Sequence, residues 1–340
     1  MIFIITFFYF CILCYIEKIF KIHKKIFVFL CMIPLIILII FIKDIPDYEM
    51  YFKSYNLSYD LKNNYHINIE KGYLWLSKFF YLTDLDYHFF RIGLLLIILL
   101  MFLKIMIKSK YISINFLLFY STTFIFTVLV QYRSGLSLAL FYLFGIPLLK
   151  KNKKSQFLAL IFLLSFFHKS IFLFIPLIFL KDIFKKRNKI ILLFTALLIP
   201  YFYSYVLKIL EKGAEYISFF NKLNNYLKAP WWFDIDATFG RRDYFTILLC
   251  LFFIICLKRI SKEENIYFWV FYLCILYRGI FIKIPEVGFR AYLLCQFSLV
   301  ILIPKFLTKE YYIRVLFIQS ITFIYFYLLI SSYGGGELLN

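Results

Sequence analysis

The stretch "FIFTVLVQYRSGLSLALFYLFG", residues 124–145, decides the fold class. Two apolar runs meet at Gln131, Tyr132, Arg133, Ser134 and Gly135. A helix on the surface of a soluble protein keeps one polar face, and neither run has one. They read as the ends of two membrane helices. Arg133 stands where a membrane protein least tolerates a charge.

The whole chain agrees with that stretch. Of its 340 residues, 63% are hydrophobic, and the mean hydropathy is +0.83. A soluble domain of this length cannot hide so much apolar surface. Twelve apolar segments are expected near 1–16, 26–42, 88–107, 111–130, 134–149, 155–167, 170–180, 190–206, 244–257, 266–282, 291–303 and 315–330. Spanning hydrocarbon takes about 20 residues, so the shorter segments must tilt less or extend into their polar flanks. The expected architecture is an all-α polytopic membrane protein with about 12 transmembrane helices, one integral membrane domain over 1–340.

The formal charge of +20 follows topology and does not call for nucleic acid. Loops 17–25, 104–110, 150–154, 181–189, 258–265 and 304–314 hold 22 Lys/Arg against five acids, and the remainder holds 17 against 14. Short basic loops face the cytoplasm. Both termini and the two long loops, 43–87 and 207–243, are then expected on the outside. In the first loop, "GYLWLSKFFYL" is too short to span. It predicts an amphipathic helix lying at the interface with Trp75 as anchor. In the second, Trp231 and Trp232 either stack on sugar rings or sit at the lipid boundary, the boundary being favoured for at least one of them. The seven cysteines all fall in apolar runs and read as small apolar side chains, Cys11-x-x-Cys14 included. The first Lys, Lys18, follows the first apolar run, so a cleaved signal peptide is not expected.

The basic side carries plain Lys clusters. The other side carries single ionisable groups set among aromatics: Asp47, Arg91, Arg133, His168, Arg278, Glu286 and Arg290. This asymmetry points to a polar site opening outward. Guanidinium offers a planar fork of donors that matches phosphate oxygens and does not deprotonate, so Arg from several helices suits a pyrophosphate. Plainer readings stand beside these. Arg91 snorkels to the headgroups, Arg278 forms a structural salt bridge, and Arg241-Arg242-Asp243 makes an interfacial collar. His168 marks a wet turn, and Asp47 caps a helix. No G-x-S-x-G, H-E-x-x-H or Walker A pattern occurs, and nothing calls for a metal or cofactor.

Four stretches together resemble the EpsG family of bacterial exopolysaccharide proteins, related to Wzy-type O-antigen and capsule polymerases. They are "DIPDYEMYFKSY" with Asp47, Tyr48 and Tyr51, "EKGYLWLSKFF" with Glu70, Gly72 and Tyr73, "QYRSGLSLALFYL" with Arg133, Gly135 and Ala139, and "FFHKSIFLFIPL" with His168 and Ser170. "EVGFRAYLL" adds Arg290. The family often has Gly-Thr before the Asp and an Arg upstream, whereas here Ile45-Pro46 precede it and the nearest upstream base is Lys43.

The resemblance implies a GT-C-like helical bundle in the bacterial cytoplasmic membrane. It implies a polymerase that joins undecaprenyl-pyrophosphate-linked oligosaccharide repeat units at the outer face. Membrane lipids, a chain-length regulator and a flippase are the expected partners. On this reading Arg133 and Arg290 stabilise the leaving pyrophosphate, with Arg278 and Arg242 as second choices. Asp47, then His168 and Glu70, are the candidate general bases. Tyr48, Tyr51, Arg91, Glu286, Trp231 and Trp232 join the substrate-binding set. The rivals are a flippase for the same lipid-linked sugars and a membrane O-acyltransferase. A flippase is disfavoured by the absence of an evident internal repeat.

Overall fold

The segment at Ile112–Val130 has no polar face to offer water, and it is buried along its whole length. In the computed structural model it forms the axis of one of two compact units, residues 1–175 with 299–340; the other is 176–298. The structure describes residues 1–20, 23–43, 45, 47–58, 69–109, 111–183, 185–202, 205, 208, 239–256, 261–282, 285–306 and 311–332. Among them the secondary structure is helical and no strand occurs.

In the first unit, helices Ile2–Ile19, Lys24–Phe41, Tyr87–Met106, Tyr132–Lys150 and Tyr311–Ser332 pack around Ile112–Val130. A buried helix start leaves orphan amides, and here a carboxylate takes them. Glu17 accepts from the amides of Ile112 (2.9 Å) and Ser113 (3.1 Å) and from the Ser113 hydroxyl. The far half, Tyr120–Val130, widens into a π-helix, a winding often found beside functional sites. The amide of Gln131 closes it on the Phe126 carbonyl at 3.0 Å. There the chain turns sharply into Tyr132–Lys150. The turn needs Gly135: a Cβ on it would stand 2.6 Å from the Thr127 carbonyl oxygen.

The loop 43–87 folds into two short helices, Tyr48–Asn56 and Lys71–Tyr81. The second is amphipathic as its sequence predicts. Tyr73, Leu74 and Ser77 are buried, while Trp75 and Phe79 are exposed. Its first turn lies hard against the end of Lys154–Ser165. Gly72 donates to the Phe166 carbonyl at 2.8 Å, and a Cβ there would come within 2.7 Å of that oxygen.

In the second unit, Asn265–Ile280 is the buried axis. Lys186–Leu198, Arg241–Ile255, Pro285–Cys295 and the short Leu177–Leu180 surround it. One end is tied by side chains. Asn265 donates to the Lys181 carbonyl (3.1 Å) and Trp269 to the Ile183 carbonyl (3.1 Å). Buried Lys189 donates to the Asn265 side chain and lies 4.4 Å over the Phe268 ring.

The described part of each of the twelve apolar segments overlaps a helix, but these helices divide by length and do not give twelve spans. Six are long and apolar enough to cross a membrane: Ile2–Ile19, Lys24–Phe41, Tyr87–Met106, Ile112–Val130, Tyr132–Lys150 and Val287–Lys305. Lys154–Ser165, Lys169–Leu180, Asn265–Ile280 and Arg314–Leu328 are apolar but shorter. Punctuation in the sequence explains part of this: Pro176 interrupts Lys169–Leu180, and Pro200 ends the α-helix that begins at Lys186.

Candidate functional site

Arg133 enters the first turn of Tyr132–Lys150 just after the break at Gln131, which aims it back into the bundle. It is 9% exposed. Its Nη1 donates to the Glu70 carboxylate, and its Nε donates to the Tyr51 hydroxyl at 3.2 Å. The guanidinium lies 4.9 Å over the Tyr51 ring and 5.8 Å over the Tyr73 ring. Glu70 is brought there by the tight Gly72–Phe166 seat, and Tyr51 by the helix Tyr48–Asn56.

Behind this pair stands a layer of tyrosines. The Tyr132 hydroxyl shares hydrogen bonds with those of Tyr73 and Tyr87, each 2.9 Å long. The Tyr51 and Tyr132 rings lie 4.3 Å apart, and Tyr87 continues to Tyr48 at 5.4 Å. Burial pushes the Tyr51 phenol up, with Arg133 pulling it back, and burial raises Tyr73 as well. Both stay neutral near pH 7 and act as hydrogen-bonding, stacking surfaces.

Arg91 borders this layer from the second turn of Tyr87–Met106, beside Tyr48 at 5.6 Å. It is 0% exposed, which rules out a snorkelling side chain. Its Nη2 donates to the Ile42 carbonyl at 2.8 Å, while Nε and Nη1 have no hydrogen-bond partner among the described residues. The buried guanidiniums and carboxylate of this centre, Arg91, Arg133 and Glu70, sum to one excess positive charge.

Asp47 sits at the start of Tyr48–Asn56 with φ +71°, a left-handed conformation uncommon outside glycine. It holds the N-cap position of that helix, as the plainer reading expects, but its side chain makes no capping bond. His168 is buried at the head of the 3₁₀ turn Lys169–Phe174, two residues beyond the Phe166 carbonyl that receives Gly72. The first unit thus assembles Tyr48, Tyr51, Glu70, Arg91 and Arg133 in one centre, with Asp47 at the start of the helix that carries Tyr51.

The second unit gathers a separate cluster. Arg278 donates through Nε to Asp243 Oδ2 at 3.0 Å, so the expected salt bridge is present. Asp243 also accepts from the Gly240 amide at 2.8 Å and is only 4% exposed, unlike a collar residue. Arg242 stacks on Phe289 (4.6 Å) and Tyr292 (4.7 Å). Arg290 lies half-buried on the same helix as those rings. Glu286 falls in that helix, with its side chain outside what the structure describes, and Trp231 and Trp232 lie outside the described residues.

Sequence reasoning missed Tyr87 and Tyr132 as parts of the centre around Arg133. In a chain with 29 tyrosines a single one carries no signal. Tyr132 had the one usable cue, its place directly before Arg133.

A family model, described as the EpsG family, matches residues 43–338. It is a family of Wzy-like, polysaccharide-polymerase-related membrane proteins. No curated protein and no solved structure matches the chain.

Proposed function

Since the chain belongs to the EpsG family, we propose that it is a polysaccharide polymerase that joins oligosaccharide repeat units carried on polyprenyl pyrophosphate at the outer face of the cytoplasmic membrane. One observation carries this reading. The first unit buries two guanidiniums against one carboxylate, and one of them, Arg91, has two donors with no hydrogen-bond partner among the described residues. A buried cation with no acidic partner costs roughly several kcal/mol. A polyanionic ligand offsets that cost.

In the reaction, a hydroxyl oxygen of the acceptor unit bonds to the anomeric carbon of the growing chain. The bond from that carbon to the pyrophosphate oxygen breaks, and its electron pair leaves with the pyrophosphate. Arg133 and Arg91 stabilise the charge that develops there, most effectively in a water-poor site. The hydroxyl proton goes to a carboxylate. Asp47 is favoured over Glu70, because the Glu70 carboxylate is already engaged by the Arg133 guanidinium. Asp47 has no ion pair among the described residues. The tyrosine layer offers ring faces and hydroxyls to the sugar.

The test is reconstitution of the purified protein with lipid-linked repeat unit. A ladder of polymer supports the reading. Movement of intact repeat units across the bilayer without a ladder contradicts it.

A further inference from the structure

The helix Lys71–Tyr81 has two faces, and the centre around Arg133 uses only the inner one. Glu70 stands at its N-cap and pairs with Arg133. Tyr73, on the inner face, shares a hydrogen bond with Tyr132, and its ring lies 5.8 Å from the Arg133 guanidinium. We infer that the outer face of this helix binds anionic lipid headgroups of the outer leaflet, and that this contact holds Glu70 against Arg133. The inference does not depend on the polymerase reading.

Trp75, Phe79 and Leu82 recur at the spacing of one helical stripe and are 67%, 62% and 67% exposed. Three large apolar side chains in a row are costly to leave in water. Both ends of the helix are tied to neighbours with the same kind of surface. At the start, Gly72 donates to the Phe166 carbonyl at 2.8 Å, and Phe162 and Phe166, at the end of Lys154–Ser165, are exposed. At the far end the Phe80 and Phe90 rings lie 5.3 Å apart, and Phe89, next to Phe90 on Tyr87–Met106, is exposed. The stripe continues the apolar surface that these two helices turn away from the bundle.

The charge on this face suits a layer of phosphates. Lys71 and Lys78 lie four before and three after Trp75, on its side of the helix, and the helix carries no acid. Their stems cover apolar surface while the ammoniums reach headgroup oxygens. The next acids, Asp84 and Asp86, lie in the turn toward Tyr87–Met106, and Asp86 accepts from the His88 amide at 2.7 Å. A sugar platform would set hydroxyl or amide groups beside the indole, and the stripe sets Phe79 and Leu82 there. Interfacial binding grows with the apolar area buried and with attraction to anionic lipid. An isolated helix of 11 residues is marginal in water, so losing the lipid contact loosens the turn that carries Glu70 and the Gly72 amide.

The experiment places the full-length protein in nanodiscs of phosphatidylglycerol or phosphatidylcholine, with and without bromine on the acyl chains near the headgroup. Trp75 emission, taken as wild type minus Trp75→Phe, is expected to be quenched by both brominated lipids and more strongly by phosphatidylglycerol. Emission that brominated lipid leaves unchanged gives the stripe to another occupant, such as a second copy of the chain or a sugar chain, and overturns the lipid contact. Deuterium exchange at the Gly72 amide reads the hold on Glu70. Trp75→Ser with Phe79→Ser is expected to speed it at least about tenfold, with an unfolding temperature within a few degrees of wild type. Wild type is expected to exchange more slowly in phosphatidylglycerol than in phosphatidylcholine, and Lys71→Gln with Lys78→Gln to erase that difference. The lysine pair carries the same test if the serine variant unfolds early. Unchanged Gly72 exchange in the folded serine variant overturns the hold on Glu70, and equal wild-type exchange in the two lipids overturns the anionic partner. Neither readout involves polymer, so failure here leaves the polymerase reading standing.

Discussion

Arg133 and Glu70 are 63 residues apart in sequence and form a buried ion pair, with side chains 10% and 7% exposed. Removing one partner strands the other charge, which costs about 3–5 kcal/mol in such pairs. Arg133→Ala and Glu70→Ala are each expected to lower the unfolding temperature in detergent, while Arg133→Met with Glu70→Met together recovers much of the loss. Equal, additive losses would show that the pair is not coupled.

Arg91 gives a sharper separation of stability from function. It is a buried cation without an acidic partner among the described residues, so Arg91→Leu is expected to leave the unfolding temperature unchanged or raise it. The same change is expected to abolish polymer. Loss of polymer together with collapse of the fold would reduce Arg91 to a structural role.

Asp47→Asn keeps a residue that tolerates the left-handed backbone but cannot accept a proton at neutral pH. General-base catalysis contributes about 10²–10⁴ in rate. A fall of at least about a hundredfold in polymerisation rate, with Tyr51 and the fold intact, is the expected result. Wild-type rate would move the base to His168 or Glu70.

Close packing at the two motif glycines is testable without any activity. Gly72→Ala and Gly135→Ala place a Cβ 2.7 and 2.6 Å from backbone oxygens, and overpacking of this kind costs about 1–3 kcal/mol. Gly93 has nothing within 4 Å of its would-be Cβ and sits inside a helix, so Gly93→Ala is expected to be neutral or to stabilise slightly. Unfolding temperatures of the three variants decide this.

Lys189 supplies a pH dependence. Burial pushes its ammonium down to about 8 from 10.5. As pH falls through that window the unfolded chain takes up the proton first. Stability is then lost on acidification from about 10.5 and levels off below about 8. The unfolding temperature is expected to rise between pH 8 and pH 10, with a smaller slope in Lys189→Met. Equal slopes would show that the Lys189 ammonium is not disfavoured by burial.

Much of the fold was legible, because apolar runs and Lys-rich turns report directly on helices in a membrane. Span length was less so. Where the sequence carries Pro176 and Pro200, a run that looks continuous breaks into short pieces. Arg133 was legible as chemistry, because charge is costly among aromatics, whereas Glu70 and Tyr51 came only with the family resemblance, and the pairing of the three was not legible. It depends on Gly72 seating one helix on Phe166 and Gly135 folding another onto Thr127, contacts between segments far apart in the chain. The tyrosine layer was legible only in part: the resemblance named Tyr48, Tyr51 and Tyr73, but the hydrogen bonds that Tyr132 shares with Tyr73 and Tyr87 have no local pattern.

The central claim is that the buried cations of the first unit serve a pyrophosphate leaving group. Its most direct test is polymer formation from purified undecaprenyl-pyrophosphate-linked repeat unit by reconstituted wild type and Arg91→Leu, with both unfolding temperatures recorded. The account predicts a ladder from the wild type and none from a variant that is equally stable. A wild-type ladder from Arg91→Leu would contradict it.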